Sequence, residues 1–229
     1  MKKITIKDNY SLEDLFDILT ALRADDGCPW DKIQTHQSLK KCLIEESYEA
    51  IDALDSGDDI LFANELGDVL LQVAFHSQLA EERGAFDFNR VLYELCTKLI
   101  TRHTHVFGDV KAKDPEAALA NWEKNKNKEH SEESCHKILN DVPHHLPALM
   151  RAEKVQKKAE SFGVSMPDKE KACSSIIKNA SQIQNSNNPS EEYKKLLFDI
   201  VALGRALNIT PETELTAATG EFIETCKDI

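Results

Sequence analysis

The sequence predicts an all-α protein. Apolar residues recur at three- and four-residue spacing through most of its 229 positions. Helix-starting Ser, Asp and Thr and helix-stopping Gly punctuate those stretches, and runs rich in β-branched residues with period-two alternation are absent. Ser11-Leu12-Glu13-Asp14 is a capping signature, followed by Leu12, Leu15, Phe16, Leu19 and Leu22 at helical spacing. Gly27-Cys28-Pro29-Trp30 breaks that helix. A second helix is expected from about Ser38 to Leu54, with Leu39, Leu43, Ala50, Ile51 and Leu54 on its apolar face. Asp58 or Asp59 caps a third, carrying Leu66, Val69, Leu70, Val73 and Leu79 and stopping near Gly84. Asp87 caps a fourth, with Val91, Leu92, Leu95, Leu99 and Ile100 inside, and Asp114-Pro115 opens a fifth through Trp122.

A polar stretch from about Asn125 to His136 reads as a solvated helix end or a linker. The expected domains are therefore residues 1–124, a polar linker over 125–145, and a second helical domain over 146–229. In the last, one helix starts after Pro189-Ser190 and another at Thr210-Pro211, a cap with Pro in first helical position. A faint repeat links the halves. Glu65-x-x-Asp68-Val69-Leu70-Leu71 is echoed by Glu192-x-x-Lys195-Leu196-Leu197-Phe198. An insertion helix, Lys178-Asn179-Ala180-Ser181-Gln182, is expected where a second acidic motif would fall. Lys, Asn and Gln cannot hold a metal as carboxylates do, so the second copy reads as degenerate.

Composition narrows the function. Apolar residues make up 41% and charged residues 30%, as in ordinary soluble proteins. The net charge of −12 is uneven: residues 1–110 hold 21 acidic and 11 basic residues, the remainder 19 and 17. A field of that sign disfavours broad binding to a nucleic-acid polymer. No apolar run reaches the ~20 residues that span a bilayer, so no membrane partner is expected. The N-terminal Met-Lys-Lys-Ile-Thr has no apolar signal core, and six scattered cysteines form no Cys-x-x-Cys pair. A cytoplasmic protein with reduced thiols is expected.

The chemistry concentrates in Glu45-Glu46-Ser47-Tyr48-Glu49 and Glu65-Leu66-Gly67-Asp68, either side of a turn at Ser56-Gly57-Asp58. Glu49 and Glu65 each lie eight residues from Gly57, and Glu46 and Asp68 each eleven. In an antiparallel helix pair those counts mean matched heights, about 12 Å and 16 Å from the turn. Carboxylates facing one another beside a core would cost several kcal/mol without a counter-ion. Hard oxygen donors favour Mg²⁺, with Mn²⁺ possible. Either acidic motif alone would be a solvated helix face; the matched heights point to a metal site.

Lys98 and Arg102, four apart, share a helix face and are either an exposed pair or phosphate contacts. Lys32 and Lys41 are weaker candidates of the same kind. Trp30 could stack on a base, although a Trp after Cys-Pro is more often a packing plug. His36, His76, His103 and His105 form no His-x-x-x-His pair, and Glu133-x-x-His136 stands alone where a di-iron bundle needs two such motifs. No glycine-rich phosphate loop and no Gly-x-Ser-x-Gly elbow occurs.

The stretch from Gly27-Cys28-Pro29-Trp30-Asp31-Lys32 through Arg102-His103-Thr104-His105-Val106-Phe107-Gly108 closely resembles the N-terminal domain of the MazG family of nucleoside triphosphate pyrophosphohydrolases. The match continues through Trp122-Glu123, and Leu146-Pro147-Ala148-Leu149-Met150-Arg151-Ala152 resembles the start of that family's second domain. The resemblance implies an all-α helical bundle that pairs into a homodimer and hydrolyses nucleoside triphosphates to monophosphates and pyrophosphate with Mg²⁺, as in house-cleaning of the nucleotide pool. Short helix pairs with apolar faces in want of a cover also favour a second copy as partner. By motif, Glu45, Glu46, Glu49, Glu65 and Asp68 would be the metal ligands, and Lys98 and Arg102 the phosphate contacts. Glu46 or Glu49 would take the proton of the attacking water. The chain has Cys96-Thr97-Lys98 where the family often has Asn-Glu-Lys, and Thr101-Arg102-His103-Thr104-His105 where it has Arg-Arg-His-Pro-His. Two other readings stay open: a non-catalytic nucleotide-binding or regulatory scaffold, and a pyrophosphatase for one nucleotide such as dUTP.

Overall fold

A computed structural model describes residues 4–129, 134–184 and 186–227. Glu133, half of the Glu-x-x-His pattern, lies outside them. Among the described residues there are helices and no strand, and the chain divides into two compact units, Met1–Asn125 and Lys126–Ile229.

The first unit opens with α1 (Leu12–Arg23), started by a full capping box between Ser11 and Asp14. Leu19, 1% exposed, is its anchor, packed with Leu39, Ala74, Phe75 and Leu79 and flanked by Leu15 and Phe16. Past Arg23 the chain doubles back so tightly at Gly27 that a Cβ there would lie 2.3 Å from the Leu22 carbonyl oxygen, so only glycine fits. The Arg23 guanidinium fixes this corner. It gives two 2.6 Å hydrogen bonds to Glu82, a third to the Asp31 carbonyl, and sits 5.4 Å over the Phe75 ring. α2 (Pro29–Lys32) follows, with Pro at its first position.

α3 (Lys40–Ser56) and α4 (Asp59–Glu82) form a hairpin. The start of α3 is prepared by a reciprocal pair: the Thr35 amide donates to Ser38 Oγ (2.9 Å) and the Ser38 amide to Thr35 Oγ1 (3.1 Å). Gly57 ends α3 in the left-handed region (φ 73°), which glycine adopts without steric cost. Asp58 Oδ1 then accepts from the amides of Ile60 and Leu61, starting α4. A two-residue link therefore reverses the chain where expected.

α5 (Phe88–Arg102) begins on an Asp87 cap. Its apolar stripe, expected inside, is largely outside: Leu95, Leu99 and Ile100 are about half exposed. Leu43, Ile51 and Leu54 of α3 and Leu66 and Leu70 of α4 are likewise exposed. The helical period was right, but one unit lacks enough elements to cover both sides of three helices. α6 (Thr104–Phe107) is a single turn without a sequence signal, and α7 (Pro115–Lys128) starts on Asp114, whose Oδ1 accepts from the Ala117 amide. α7 runs past Trp122 and into the stretch read as a linker.

The second unit contains α8 (Cys135–Asn140), α9 (Ala148–Ser161), α10 (Lys169–Ile183), α11 (Pro189–Ala206) and α12 (Pro211–Thr225). α8 was not expected. It forms because Ile138 and, just beyond it, Val142 are buried apolar anchors in an otherwise polar stretch. The five residues 178–182 are no separate insertion; they belong to α10, which packs along α11 as a hairpin. Gln156, fully buried, donates to the Phe198 carbonyl, tying α9 to α11. Pro189 and Pro211 each occupy a first helical turn, though the Thr210 side chain makes no capping bond.

Candidate functional site

The α3–α4 hairpin gathers the acidic residues. One carboxylate oxygen from each of Glu46, Glu49 and Glu65 lies within 4.8 Å of the other two. Glu46, Glu65 and Asp68 are half-buried and Glu49 is exposed. The Glu46 carboxyl is pushed above its ordinary pKa, first by burial and then by the charges of Asp68, Glu49, Glu65 and Glu45. Asp68 thus acts on Glu46 more strongly than any other charge does. The residue count put Glu46 and Asp68 at one height and Glu49 and Glu65 at the next; the oxygens that converge, those of Glu46, Glu49 and Glu65, come from both. Such a set, all hard oxygens crowded at one place and mutually repelling, fits a divalent cation of the Mg²⁺ or Mn²⁺ type.

Glu45 stands apart from the three that converge. Its carboxylate is 2.6 Å from Lys41 Nζ one turn earlier, and both side chains are exposed. That pairing accounts for Lys41 as well.

The basic candidates fall in two places. Lys98 is exposed on α5, and Arg102, half-buried at the end of that helix, has its guanidinium 5.5 Å over the Trp122 ring. Thr104 occupies the first position of α6, a place that suits proline, and its hydroxyl accepts from Asn121 and Asn125 of α7 at 2.9 and 3.0 Å. The threonine thus exchanges a rigid start for two cross-links. Those links hold α7, and with it Trp122, against the end of α5. The Arg102–Trp122 contact had no local signal, because the two residues are twenty positions apart and meet only through that packing.

Lys32 is engaged elsewhere, donating to the Asp25 carbonyl at 2.5 Å. Trp30 is 57% exposed, so it does not plug the core.

In the second unit the hairpin carries different chemistry. Lys195, which stands where the sequence echo of the acidic motif would put Asp68, is 3.4 Å from the Glu192 carboxylate. Ser175 and Asn179 each give a 2.6 Å hydrogen bond to Asp199 Oδ2 between α10 and α11. Among the described residues the carboxylate cluster of the first unit has no counterpart here.

Comparison with known proteins follows the same lines. The family model described as MazG nucleotide pyrophosphohydrolase domain matches residues 34–107, a stretch that includes α3, α4 and α5. The chain is similar to the nucleoside triphosphate pyrophosphohydrolase/pyrophosphatase MazG of Thermotoga maritima, with 42% identity over 218 residues, 94% of this chain and 84% of that protein. It is 36% identical over 220 residues to the nucleoside triphosphate pyrophosphohydrolase of Escherichia coli K12, covering 92% of this chain and 84% of that one. The uncharacterized protein YabN of Bacillus subtilis is 42% identical over 214 residues, which span 90% of this chain and 43% of YabN.

Proposed function

From the premise that the chain belongs to the MazG family, we propose that it hydrolyses nucleoside triphosphates to nucleoside monophosphates and pyrophosphate, as a hydrolase acting on acid anhydrides. The observation that carries this is the convergence of Glu46, Glu49 and Glu65 within 4.8 Å, with Asp68 acting on the same group.

Glu46, Glu49, Glu65 and Asp68 would hold Mg²⁺ or Mn²⁺, which when bound neutralises triphosphate oxygens and lowers the pKa of a bound water. Water attacks the α-phosphorus, the bond from that phosphorus to its bridging oxygen breaks, and pyrophosphate leaves. Glu46 or Glu49 takes the water's proton. Lys98 and Arg102 neutralise charge on the β- and γ-phosphates. Counting outward from Ala85, Asp68 and Arg102 are each seventeen residues away. On helices packed antiparallel, as α4 and α5 would be, that is one height. The Trp122 ring over Arg102 restricts where its charge can point.

The exposed apolar stripe on α3, α4 and α5 supports a homodimer, with a second copy as its cover. Among the described residues no helix is long and apolar enough to cross a membrane, and the six free cysteines fit a reducing cytoplasm. The role is removal of surplus or aberrant nucleotides.

Pyrophosphate release from a panel of nucleoside triphosphates with Mg²⁺ tests the reading. Glu49→Ala and Asp68→Ala should each lower kcat/KM by at least about 100-fold while the melting temperature stays close to wild type. Undiminished metal-dependent release in both variants would sink the site, and no release from any nucleotide would favour a binding protein instead.

A further inference from the structure

The carboxylate hairpin is closed at one end by the Gly57–Asp58 turn. Its other end carries two histidines. His76 lies 19 residues after Gly57 on α4 and His36 in the turn before α3, four residues ahead of its first residue, while the carboxylates lie between them and Gly57, eight and eleven residues from it. The two Nδ1 atoms are 2.8 Å apart, and the rings are nearly parallel, 5° between planes. His36 therefore ties the turn leading into α3 to α4, eight residues, about 12 Å, along α4 from Asp68.

A bond between two Nδ1 atoms requires one ring to donate and the other to accept. His36 Nε2 is buried without a hydrogen-bond partner. A proton there would be an orphaned donor, so His36 carries its proton on Nδ1 and donates, and His76 accepts and carries its own proton on Nε2. An added proton has two places to go. On His76 Nδ1 it sets two N–H groups against each other and breaks the bond; on His36 Nε2 it is a buried charge without an acceptor. The neutral pair is the bonded one.

Burial disfavours a charge on His76. Leu39, three residues after His36, and Phe75, just before His76, belong to one core cluster with Leu19, against which Leu15 and Phe16 of α1 and the Cys42 thiol of α3 also pack. Burial first, and then His36, lowers the His76 pKa from its ordinary value. Besides His36, no charged side chain contributes to that shift among the described residues.

We propose that His36 and His76 are positioning residues, a clasp that holds the open end of the hairpin against carboxylate repulsion and releases it on protonation. This rests on the carboxylates being a cation site. With the clasp closed, Glu46, Glu49, Glu65 and Asp68 stay at cation-binding separation; with it open, α3 and α4 splay and the affinity falls.

Two measurements on the full chain decide it. ¹⁵N NMR of the metal-free protein between pH 5 and 8 should show His36 as the Nδ1–H tautomer, His76 as the Nε2–H tautomer, and a His76 midpoint below the ordinary value of about 6.5. Identical tautomers or an ordinary midpoint overturn the clasp, whether or not the protein is an enzyme. Mn²⁺ titration should then show affinity falling about tenfold between pH 7.5 and 5.0, beyond any fall in His76→Asn. The asparagine offers a carbonyl acceptor that does not titrate, so its affinity should change less than about threefold. Carboxylate protonation is common to both proteins and cancels. An equal fall in both proteins overturns the positioning role. Failure of the wild type to bind Mn²⁺ at any pH overturns it together with the metal-site reading, and the NMR result separates the two failures.

Discussion

Arg23 joins three elements of the first unit, because one guanidinium holds the ends of α1, α2 and α4 together. Its side chain is 10% exposed and that of Glu82 36%. Replacing the arginine with methionine takes this donor from the Asp31 carbonyl and leaves Glu82 only the 3.4 Å hydrogen bond from Gln78, so a loss of about 2 kcal/mol in denaturant unfolding is expected. Glu82 gives the matching pH dependence. Its pKa is lowered, chiefly by the Arg23 hydrogen bond. A lowered carboxyl contributes stability that is complete above the unfolded value of about 4.3 and lost as pH falls through the folded one. Wild type should therefore lose melting temperature below pH 4 more steeply than Glu82→Gln. Parallel curves would refute the linkage. Part of this scale was legible in the sequence: residue counting set the two acidic motifs facing each other across the α3–α4 turn, whereas Lys41 and Glu45, read as a phosphate contact and a metal ligand, pair with each other one turn apart. The Arg23 knot was not legible, since its partners lie 8 and 59 residues away and nothing local marks them.

The α3–α4 hairpin is the element that carries the carboxylate cluster, and its caps are local, so its ends could be read directly. Ser11, Gly57, Asp58, Asp87 and Asp114 each act within three residues, and each helix boundary they set follows from that short range. α6 and α8 escaped because each is short and held by packing. The exposed face of α5 escaped because period tells which residues align, not what covers them. If the hairpin holds a cation, binding must stabilise it by mass action, about 2.7 kcal/mol at a hundredfold excess over Kd. Mn²⁺ should thus raise the melting temperature of wild type by several degrees and leave Glu65→Gln unmoved. A shift of equal size in the variant would place the ion elsewhere. Gly57→Ala should lower stability by about 1 kcal/mol through its left-handed backbone, without changing the Mn²⁺ response.

For the whole molecule the informative quantity is area. The chain exposes 16,582 Å². Two compact bodies of half its 25.8 kDa each would together expose only about 12,600 Å². The excess of roughly 4,000 Å² is therefore present even when each unit is counted by itself, and it is of the order that obligate partners bury. Much of it is apolar and lies beside the candidate site: Ile51 is 50% exposed, Leu54 57%, Leu66 47% and Leu95 48%. Burial of such residues contributes about 25 cal/mol per Å² before the cost of association, so a second copy is a sufficient cover. Light scattering on the eluting protein should give twice the chain mass at micromolar concentration. Leu66→Glu, which puts a charge on that face one residue from Glu65, should weaken the dimer and expose apolar surface to a hydrophobic dye. A wild type that stays at single-chain mass while binding no dye would mean that the stripe needs no partner.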